Sequence, residues 1–475
     1  MPEPHVVVLG AGPAGLGAAF QLRRRRRARV TVVEQQAVVG GNAGSFEFGG
    51  QRVDYGSHRL HPACDPAILA DIQSLLGQDL LERPRHGRIL LRGRWIHFPL
   101  KPADLVLRLD RRFALGVARD VVVRRFAARS TGDDTFASVL RANLGRTICD
   151  DFYFPYARKI WGREPDTLSA TQARRRVSAG SFTQLARKVL SGVPGIKPVG
   201  FRHFYYPRRG YGQISEAYAA AARAGGAELL LGWKVTRLER PASAEGPWEV
   251  VVERGGRETR AFRADHVWST IPISLLVRLV SPPAPAHVCD AAHRTEFRAM
   301  LLVYLHLPVA RFTEYDAHYF PGANIAITRL SEPKNYAALT EPADRTTLCA
   351  ELPCSPEDRW WRLDDAELAR HVGEDLARAG IPLPAPPVAV TVKRLRNAYP
   401  VYAQGYEQPL RILEAWIESL PRLLTYGRQG LFAHDNTHHA LYMAYSAVEC
   451  LVDGVFDMRR WQEYRAVFAT HVVED

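Results

Sequence analysis

The sequence predicts a mixed α/β fold that opens with a strand–helix–strand unit. Residues 5–10 are a short, continuous run of mostly β-branched residues, which is typical of a buried parallel strand. Residues 16–22 are good helix formers, and residues 29–33 are a second β-branched run. Two buried strands joined by a helix predict a parallel unit at the start of the chain.

The turn between the first strand and the helix carries three glycines at G-x-G-x-x-G spacing. Gly10 permits a tight turn, Gly12 lets the backbone approach a pyrophosphate, and Gly15 lets the helix pack against the strand. Glu34 ends the second strand 19 residues after Gly15, where a carboxylate can accept ribose hydroxyls. Strand, glycines, helix, strand and acid in this order predict a Rossmann-type dinucleotide-binding domain.

A second glycine turn follows Glu34 and favours FAD over NAD. Residues 39–44 contain this turn, and residues 46–58 indicate a short hairpin with a second tight loop. With these segments the chain resembles the flavoprotein superfamily of amine oxidases, protoporphyrinogen oxidases and UDP-galactopyranose mutases. The resemblance implies that both stretches run along the FAD, near its ribityl and isoalloxazine parts. The cofactor residues it implies here are Gly41, Asn42, Gly56, Ser57 and His58.

Two later segments also resemble FAD-binding parts of this superfamily. Residues 232–239, with Val235, and residues 264–272 resemble its middle segments. Near the end of the chain, Arg428, Asn436 and Ala440 lie on a glycine turn and a following helix whose N-terminus would face the flavin. The FAD-binding domain is therefore expected to be discontinuous, formed by residues 1–60, 205–280 and 425–475.

The intervening segments differ in their hydrophobic periodicity. Residues 61–204 alternate apolar and basic residues at helical spacing, which predicts a mostly helical subdomain. Residues 281–424 contain β-rich runs and an amphipathic helix at 364–379, which predicts a β-sheet substrate domain. We expect this sheet to lie under a helical cap over the flavin.

Composition limits the classes of partner. The 475 residues carry a formal net charge of +13. A basic pocket for a phosphorylated small molecule explains this charge at least as well as DNA or RNA does, and no nucleic-acid module is recognisable. With no run of 18 uncharged apolar residues and no signal-peptide pattern, we expect a cytoplasmic protein without a membrane span. The six scattered cysteines form no C-x-x-C pair and predict no metal site.

Several motifs resemble one branch of the superfamily, the UDP-galactopyranose mutases. They are the Gly56–Ser57–His58 loop and the stretches at residues 93–99, 152–161 and 318–321. The resemblance implies a nucleotide-diphosphate sugar as substrate. The substrate-binding residues it implies are Phe98, Tyr156, Arg176, Tyr319 and Arg329.

The resemblance also implies roles for four of these residues. Arg176 and Arg329 would hold the diphosphate, and planar bidentate guanidinium groups suit that chemistry. Tyr319 would donate a hydrogen bond to the diphosphate, and His58 would orient the loop at the flavin N5. Taken singly, either arginine could instead be a surface residue, and His58 could merely cap its turn.

The reaction implied is a non-redox use of the flavin, in an FAD-dependent mutase (an isomerase). Reduced FAD would attack the anomeric carbon through N5, and the flavin–sugar adduct would open and reclose to exchange pyranose for furanose. No second nucleotide-binding fold is evident, so NAD(P)H as an external reductant would have to enter the flavin site. The nucleobase, the sugar and the oligomeric state stay open.

The alternative is an FAD-dependent oxidase or dehydrogenase of the amine oxidase or protoporphyrinogen oxidase type. It needs only hydride transfer to the flavin and a more apolar pocket. Aromatic residues could line such a pocket, although core packing is their commoner fate. The candidates are Tyr153, Trp161, Phe204, Tyr205 and Tyr206.

Overall fold

The computed structural model describes residues 3–98, 108, 111–126, 135–176, 203–243 and 245–473, without the side chains of 121, 124–126 and 176. A five-stranded sheet, here called the nucleotide sheet, holds the N-terminal unit. All neighbouring strands in it are parallel. Their order across the sheet is Leu423–Thr425, His266–Ser269, His5–Leu9, Arg29–Glu34 and Glu228–Leu231.

The central strand of the nucleotide sheet, His5–Leu9, is buried along its whole length. The helix Pro13–Arg24 follows it, begins with proline in its first turn and is capped by Gly12. Its small residues pack against two other helices, Gln213–Ala224 and Thr437–Cys450. This is the predicted βαβ arrangement, and it confirms the Rossmann-type α/β fold.

A small sheet covers one side of this unit. Its strands are Glu258–Ala264, Trp248–Arg254, Lys234–Glu239 and Val280–Ser281. The first three are antiparallel neighbours, and the last pairs in parallel. Trp248, Val250 and Val252 project from it into an apolar core that continues into the nucleotide sheet.

A seven-stranded sheet, here called the large sheet, forms the second half of the molecule. The strand Phe297–Leu307 is buried almost throughout, and Thr346–Cys354 is buried at every residue. The predicted amphipathic helix is Asp365–Arg378, begun by a capping box between Asp364 and Glu367. The strand order is Ala389–Pro400, Phe297–Leu307, Thr346–Cys354, Arg329–Ser331, Ala317–Tyr319, Gly87–Leu91 and Arg94–Phe98.

The segment interpreted as mostly helical also supplies strands to the large sheet. Gly87–Leu91 and Arg94–Phe98 form an antiparallel pair, joined by a turn in which Gly93 has a φ of +74°. Gly87–Leu91 alternates buried and half-buried residues, which is a strand period rather than a helical one. The helices described in this segment are Pro66–Leu76, Arg111–Phe126, Phe136–Leu144, Arg146–Ile148, Phe154–Trp161 and Ala170–Arg176.

The remaining elements connect and cover the sheets. The longer helices among them are Ile273–Leu279, Ala286–Arg294, Glu407–Glu418 and Met458–Phe468. The short strand pairs are Ser45–Phe48 with Gln51–Asp54, Leu80–Pro84 with His203–Pro207, and Leu451–Val452 with Val455–Phe456. Within the described ranges, no helix combines the length and the apolar character needed to cross a bilayer.

A buried carboxylate joins the two halves next to the predicted flavin loop. Asp54 accepts hydrogen bonds from the Ser45 hydroxyl at 2.6 Å and from the Tyr211 backbone N–H at 2.8 Å. The Tyr206 hydroxyl also donates to it, and Tyr304 of the large sheet donates to the Asp54 carbonyl. Because Asp54 lies two residues before Gly56, this network fixes the Gly56–His58 loop between the two sheets.

Candidate active site

A cavity of about 740 Å³ is lined by residues of both the nucleotide sheet and the large sheet. The loops that follow the strands His5–Leu9 and Arg29–Glu34 form one end of it. Ligands bind at this position in open α/β sheets, beyond the carboxyl ends of the strands. The other end is formed by the Gly56–His58 loop, Tyr319, Arg329 and part of the strand Ala389–Pro400.

The glycine turn fits a dinucleotide, as the geometry at its three glycines shows. At Gly10, with a φ of +101°, a Cβ would meet the Thr270 hydroxyl at 2.5 Å. At Gly15, a Cβ would lie 2.0 Å from the Gly10 carbonyl, so the helix packs directly on the turn. A Cβ on Gly12 would meet no atom within 4 Å. The space above Gly12 is therefore open for a pyrophosphate at the helix N-terminus.

Glu34 lies on the cavity and is fixed by the turn itself. Its Oε2 accepts from the Ala11 backbone N–H and its Oε1 from the Gln36 backbone N–H, both at 2.9 Å. A carboxylate has about four acceptor positions, so ribose hydroxyls can still be bound. The position agrees with the ribose role predicted for this acid.

The helix Thr437–Cys450 begins at the cavity. Asn436 caps it, and Thr437 and Ala440 line the cavity wall. The positive end of the helix dipole therefore borders the space predicted for the flavin. Such a helix end stabilises negative charge on a bound ring.

Asp435 precedes this helix and was missed by the sequence analysis. It is buried and lines the cavity, and within the described chain its Oδ1 has no hydrogen-bond partner. Arg175, His439 and His471 lie around it, with His471 Nδ1 3.3 Å from its Oδ2. Asp435, His439 and His471 offer ligand atoms within 4.8 Å of one another, which would suit a metal ion. A hydroxyl of a bound dinucleotide would satisfy the orphaned Oδ1 equally well.

Three of the predicted cofactor residues are outside the lining of the main cavity, and the others line it. Gly56 borders a small adjoining cavity, and Gly15 supports the turn without lining the main cavity. Val235 lies outside the cavity lining, because it faces the apolar core under the small sheet. The predicted residues that line the main cavity are Gly10, Gly12, Glu34, Gly41, Asn42, Ser57, His58, Arg428, Asn436 and Ala440.

His58 lies on the cavity, with its ring stacked on Tyr211 at a centroid distance of 5.2 Å. Burial lowers the pKa of His58 to about 3, with Arg329 and Arg428 adding to the effect. The imidazole is therefore neutral at physiological pH. The two arginines therefore disfavour protonation of His58 in addition to its burial.

Tyr319 and Arg329 come together as predicted, on neighbouring antiparallel strands. Both line the cavity, and the Arg329 guanidinium carbon lies 5.9 Å from the centre of the Tyr319 ring. Arg329 also forms a bidentate pair with the buried Glu351, with both N···O distances at 2.9 Å. Glu351 accepts a further hydrogen bond from the Ser57 backbone N–H at 2.8 Å. The Gly56–His58 loop and Arg329 are thus held by one carboxylate.

Arg59 is a second cation beside Tyr319 that the sequence analysis missed. Its Nη2 lies 3.2 Å from Asp316, and its Nη1 donates to the Tyr319 hydroxyl at 3.4 Å. Burial lowers the pKa of Arg59, but Asp316, Tyr336 and Tyr319 together outweigh this effect and the net pKa is raised. The signal available in the sequence was its place next to His58, in the loop predicted to lie at the flavin.

The remaining predicted substrate residues lie elsewhere. Phe98 lies outside the cavity lining and packs on Tyr319, at a ring distance of 5.2 Å. Tyr156 stacks on Phe152 in the helical segment, also outside the lining. Arg176 ends the helix Ala170–Arg176, and its side chain lies outside the described residues.

The aromatic residues considered for an oxidase pocket lie outside the described lining of the cavity. Phe204 and Tyr206 are fully buried in the core beneath the nucleotide sheet, and Tyr205 packs on its edge. Trp161 belongs to the apolar core of the helical segment, and Tyr153 packs against it. Their role in the structure is packing, which is the commoner fate of aromatic side chains.

Solved structures share this architecture. The crystal structure of a reduced UDP-galactopyranose mutase superposes with a TM-score of 0.81 and 19% identity, covering 99% of this chain and 100% of that one. A putative protoporphyrinogen oxidase from Exiguobacterium sp. 255-15 gives a TM-score of 0.71 and 20% identity, covering 94% and 98%. At these identities the likeness establishes the fold.

Sequence comparison points to oxidoreductases. A phytoene dehydrogenase from Streptomyces griseus is 32% identical over 269 residues, which is 50% of each chain. The match therefore spans about half the length of that relative. Residues 13–447 match the family described as "Flavin containing amine oxidoreductase". Since this match covers most of the sequence, the chain belongs to the flavin-containing amine oxidoreductase family and has the FAD-binding fold of that family.

Proposed function

We propose that the protein is a mutase that interconverts the pyranose and furanose forms of a nucleotide-diphosphate sugar, with reduced FAD as its cofactor. The observation that supports this proposal best is the cationic end of the cavity. Arg59 and Arg329 both lie beside Tyr319, and Arg428 lines the same cavity. Guanidinium groups and a phenol are suited to an anionic leaving group such as a diphosphate.

The charge of the cavity distinguishes between substrate classes. Its lining contains seven cationic side chains and two carboxylates. A protonated amine would be repelled by this surplus, and an apolar polyene would displace the water around these charges without compensating them. A nucleotide diphosphate would compensate the surplus. The cationic residues are Arg59, Arg85, Arg329, Lys393, Arg394, Arg396 and Arg428, and the carboxylates are Glu34 and Asp435.

The residues of the chain would act by binding and orientation. A bound reduced flavin supplies the nucleophile that displaces the diphosphate from the anomeric carbon. Arg329, held by Glu351, would bind the departing diphosphate oxygens, and Tyr319 would donate its hydroxyl hydrogen to them. Neutral His58 can donate from one ring nitrogen and accept at the other, which suits a group that orients a sugar hydroxyl at the flavin.

The test is conversion of nucleotide sugars by the FAD-loaded protein after reduction with dithionite. We expect UDP-galactopyranose or another nucleotide hexose of a panel to yield its furanose isomer, detected by chromatography. Activity should require reduced flavin and consume no stoichiometric oxidant. NAD(P)H should support turnover to the extent that it can reduce the flavin in the same site.

The variant Arg329→Ala tests the role of this arginine. The variant Arg459→Ala, at an exposed position, is the matched control. We expect the first substitution to lower kcat/KM by about a hundredfold and the second to leave it unchanged. Equal activity of both variants, or no conversion of any nucleotide sugar by the reduced wild type, would contradict the proposal.

The second candidate is an FAD-dependent dehydrogenase or oxidase. It is favoured by the sequence identity with a phytoene dehydrogenase and by the resemblance to a putative protoporphyrinogen oxidase. Such an enzyme reduces its own flavin with substrate, and an oxidase then yields peroxide in air. Bleaching of the oxidised flavin by an amine or a polyene under anaerobic conditions would establish this function instead.

We also propose a separate role for each group of segments in the chain. Residues 1–60, 205–280 and 425–475 would bind the FAD, residues 61–204 would form the cap, and residues 281–424 would carry most of the substrate site. The cavity agrees with this assignment, because its cofactor end derives from the first group and Tyr319 and Arg329 from the last.

A further inference from the structure

We propose that Arg59 and Arg329 together form the anion-binding pair of the substrate site, with Arg59 binding one oxyanion directly. This inference rests on the proposed function and names a residue that determines which substrates bind. In this proposal Arg59, rather than Arg176, is the partner of Arg329. The ligand class is a pyrophosphate or nucleoside diphosphate.

The position of Arg59 within the cavity wall supports this role. Its side chain is only 10% exposed, yet it lines the cavity. Its guanidinium lies over the faces of Phe204 and Tyr336, at 5.1 and 5.2 Å from the ring centres. These rings hold the planar group in one orientation, so little conformational entropy is lost when a ligand binds.

The hydrogen bonds of Arg59 are incomplete. A guanidinium has five N–H donors, but the two hydrogen bonds that Arg59 makes, to Tyr319 and Tyr336, are long, at 3.4 and 3.5 Å. Within the described residues its buried Nε has no hydrogen-bond partner. A buried cation with unsatisfied donors costs free energy, and an oxyanion between Arg59 and Tyr319 would satisfy them.

The second argument is the repulsion between like charges. The charge of Arg329 acts on Arg59 closely enough to oppose its protonation. Asp316 and Glu351, which are outside the lining of the main cavity, each pair with one arginine, while both arginines border that cavity. Two guanidinium groups brought together in this way are best stabilised by a ligand with two negative oxygens.

Arg59 could instead serve only to join the Gly56–His58 loop to Tyr336, and the experiment separates the two roles. The FAD-loaded protein is titrated with inorganic pyrophosphate, with UDP and with uncharged uridine by calorimetry. The variants are Arg59→Lys, which retains the charge, and Arg59→Met combined with Asp316→Asn, which leaves no buried charge unpaired. Exposed Arg459→Met is the control.

We expect the pyrophosphate Kd of the double variant to rise by about tenfold or more, and that of Arg59→Lys by a smaller factor. FAD content and uridine affinity should stay at the wild-type level. The inference is overturned if Arg59→Lys and the double variant bind pyrophosphate as the wild type does. It is equally overturned if uridine and pyrophosphate weaken by the same factor, or if the wild type binds no pyrophosphate.

Refutation of the anion-binding role of Arg59 is distinguishable from refutation of the proposed mutase function. Weakened pyrophosphate binding in the Arg59 variants, with no sugar conversion by the wild type, would refute the mutase and retain the anion site. Sugar conversion by the wild type, with unchanged pyrophosphate binding in both Arg59 variants, would refute only the role of Arg59.

Discussion

Glu351 accepts two hydrogen bonds from Arg329 at 2.9 Å each, so the guanidinium is oriented before any substrate arrives. The same carboxylate binds the Ser57 backbone N–H. It therefore couples the cation predicted to bind substrate to the loop predicted to bind flavin. Preorganised charge of this kind lowers the reorganisation required during a reaction.

Glu351→Gln should destabilise the protein, because it leaves the mostly buried Arg329 without a counter-charge. We expect a loss of about 2–4 kcal/mol in the free energy of unfolding, measured by urea denaturation. Exposed Glu357→Gln is the control and should change it by less than about 0.5 kcal/mol. Equal stability of the two variants would show that the ion pair between Arg329 and Glu351 contributes nothing to the free energy of unfolding.

Gly12→Ala and Gly15→Ala should differ in their effects on FAD binding and on stability. A methyl group on Gly12 meets no protein atom within 4 Å, so this variant should fold and lose FAD. A methyl group on Gly15 would lie 2.0 Å from a backbone carbonyl, so this variant should lose stability as well. Flavin absorbance after gel filtration and the Tm of each apoprotein separate the two effects. Full FAD retention by Gly12→Ala would place the pyrophosphate elsewhere.

Stability should fall in acid through the buried His318. Burial lowers its pKa to about 3, with Arg88 adding to the effect. In the unfolded chain His318 takes up a proton below about pH 6.5, whereas in the folded protein it stays neutral until about pH 3. Its contribution to stability is therefore present above about pH 6.5 and is lost as the pH falls.

His318→Gln should remove this part of the acid sensitivity. Between about pH 7.5 and pH 5, the free energy of unfolding of the variant should fall by about 2 kcal/mol less than that of the wild type. Urea denaturation at the two pH values measures the difference. Parallel pH dependence of the two proteins would mean that His318 becomes protonated in the folded state.

Lys159 should be required for the turn between Tyr319 and Arg329. Its ammonium donates to the carbonyls of Phe320, Gly322 and Ile327, the last at 2.8 Å. Lys159→Met would leave these acceptors unsatisfied and should cost about 2–4 kcal/mol. Substrate KM should rise as well, because the turn connects two residues that are proposed to bind the substrate. Exposed Lys234→Met is the control, and equal Tm values for the two variants would refute this role.

The local features of the cofactor end were predictable because each depends on residues close in sequence. The turn at Gly10, Gly12 and Gly15 and the acid Glu34 need only the order of one βαβ unit. The capped helix Asp365–Arg378 is likewise determined by its own periodicity and capping box. By contrast, Asp435 carries no local signal, since its orphaned oxygen becomes meaningful only when the cavity is formed.

The sequence by itself determined the FAD-binding fold and the association of Tyr319 with Arg329. Only the tertiary structure decided that Glu351 orients Arg329, that Arg59 borders the same phenol, and that Phe98, Tyr156 and Val235 lie outside the cavity lining. The physical reason is distance along the chain. Arg59 and Asp316 are 257 residues apart, and charges so far apart in sequence meet only through the pairing of strands and the packing of one sheet against another.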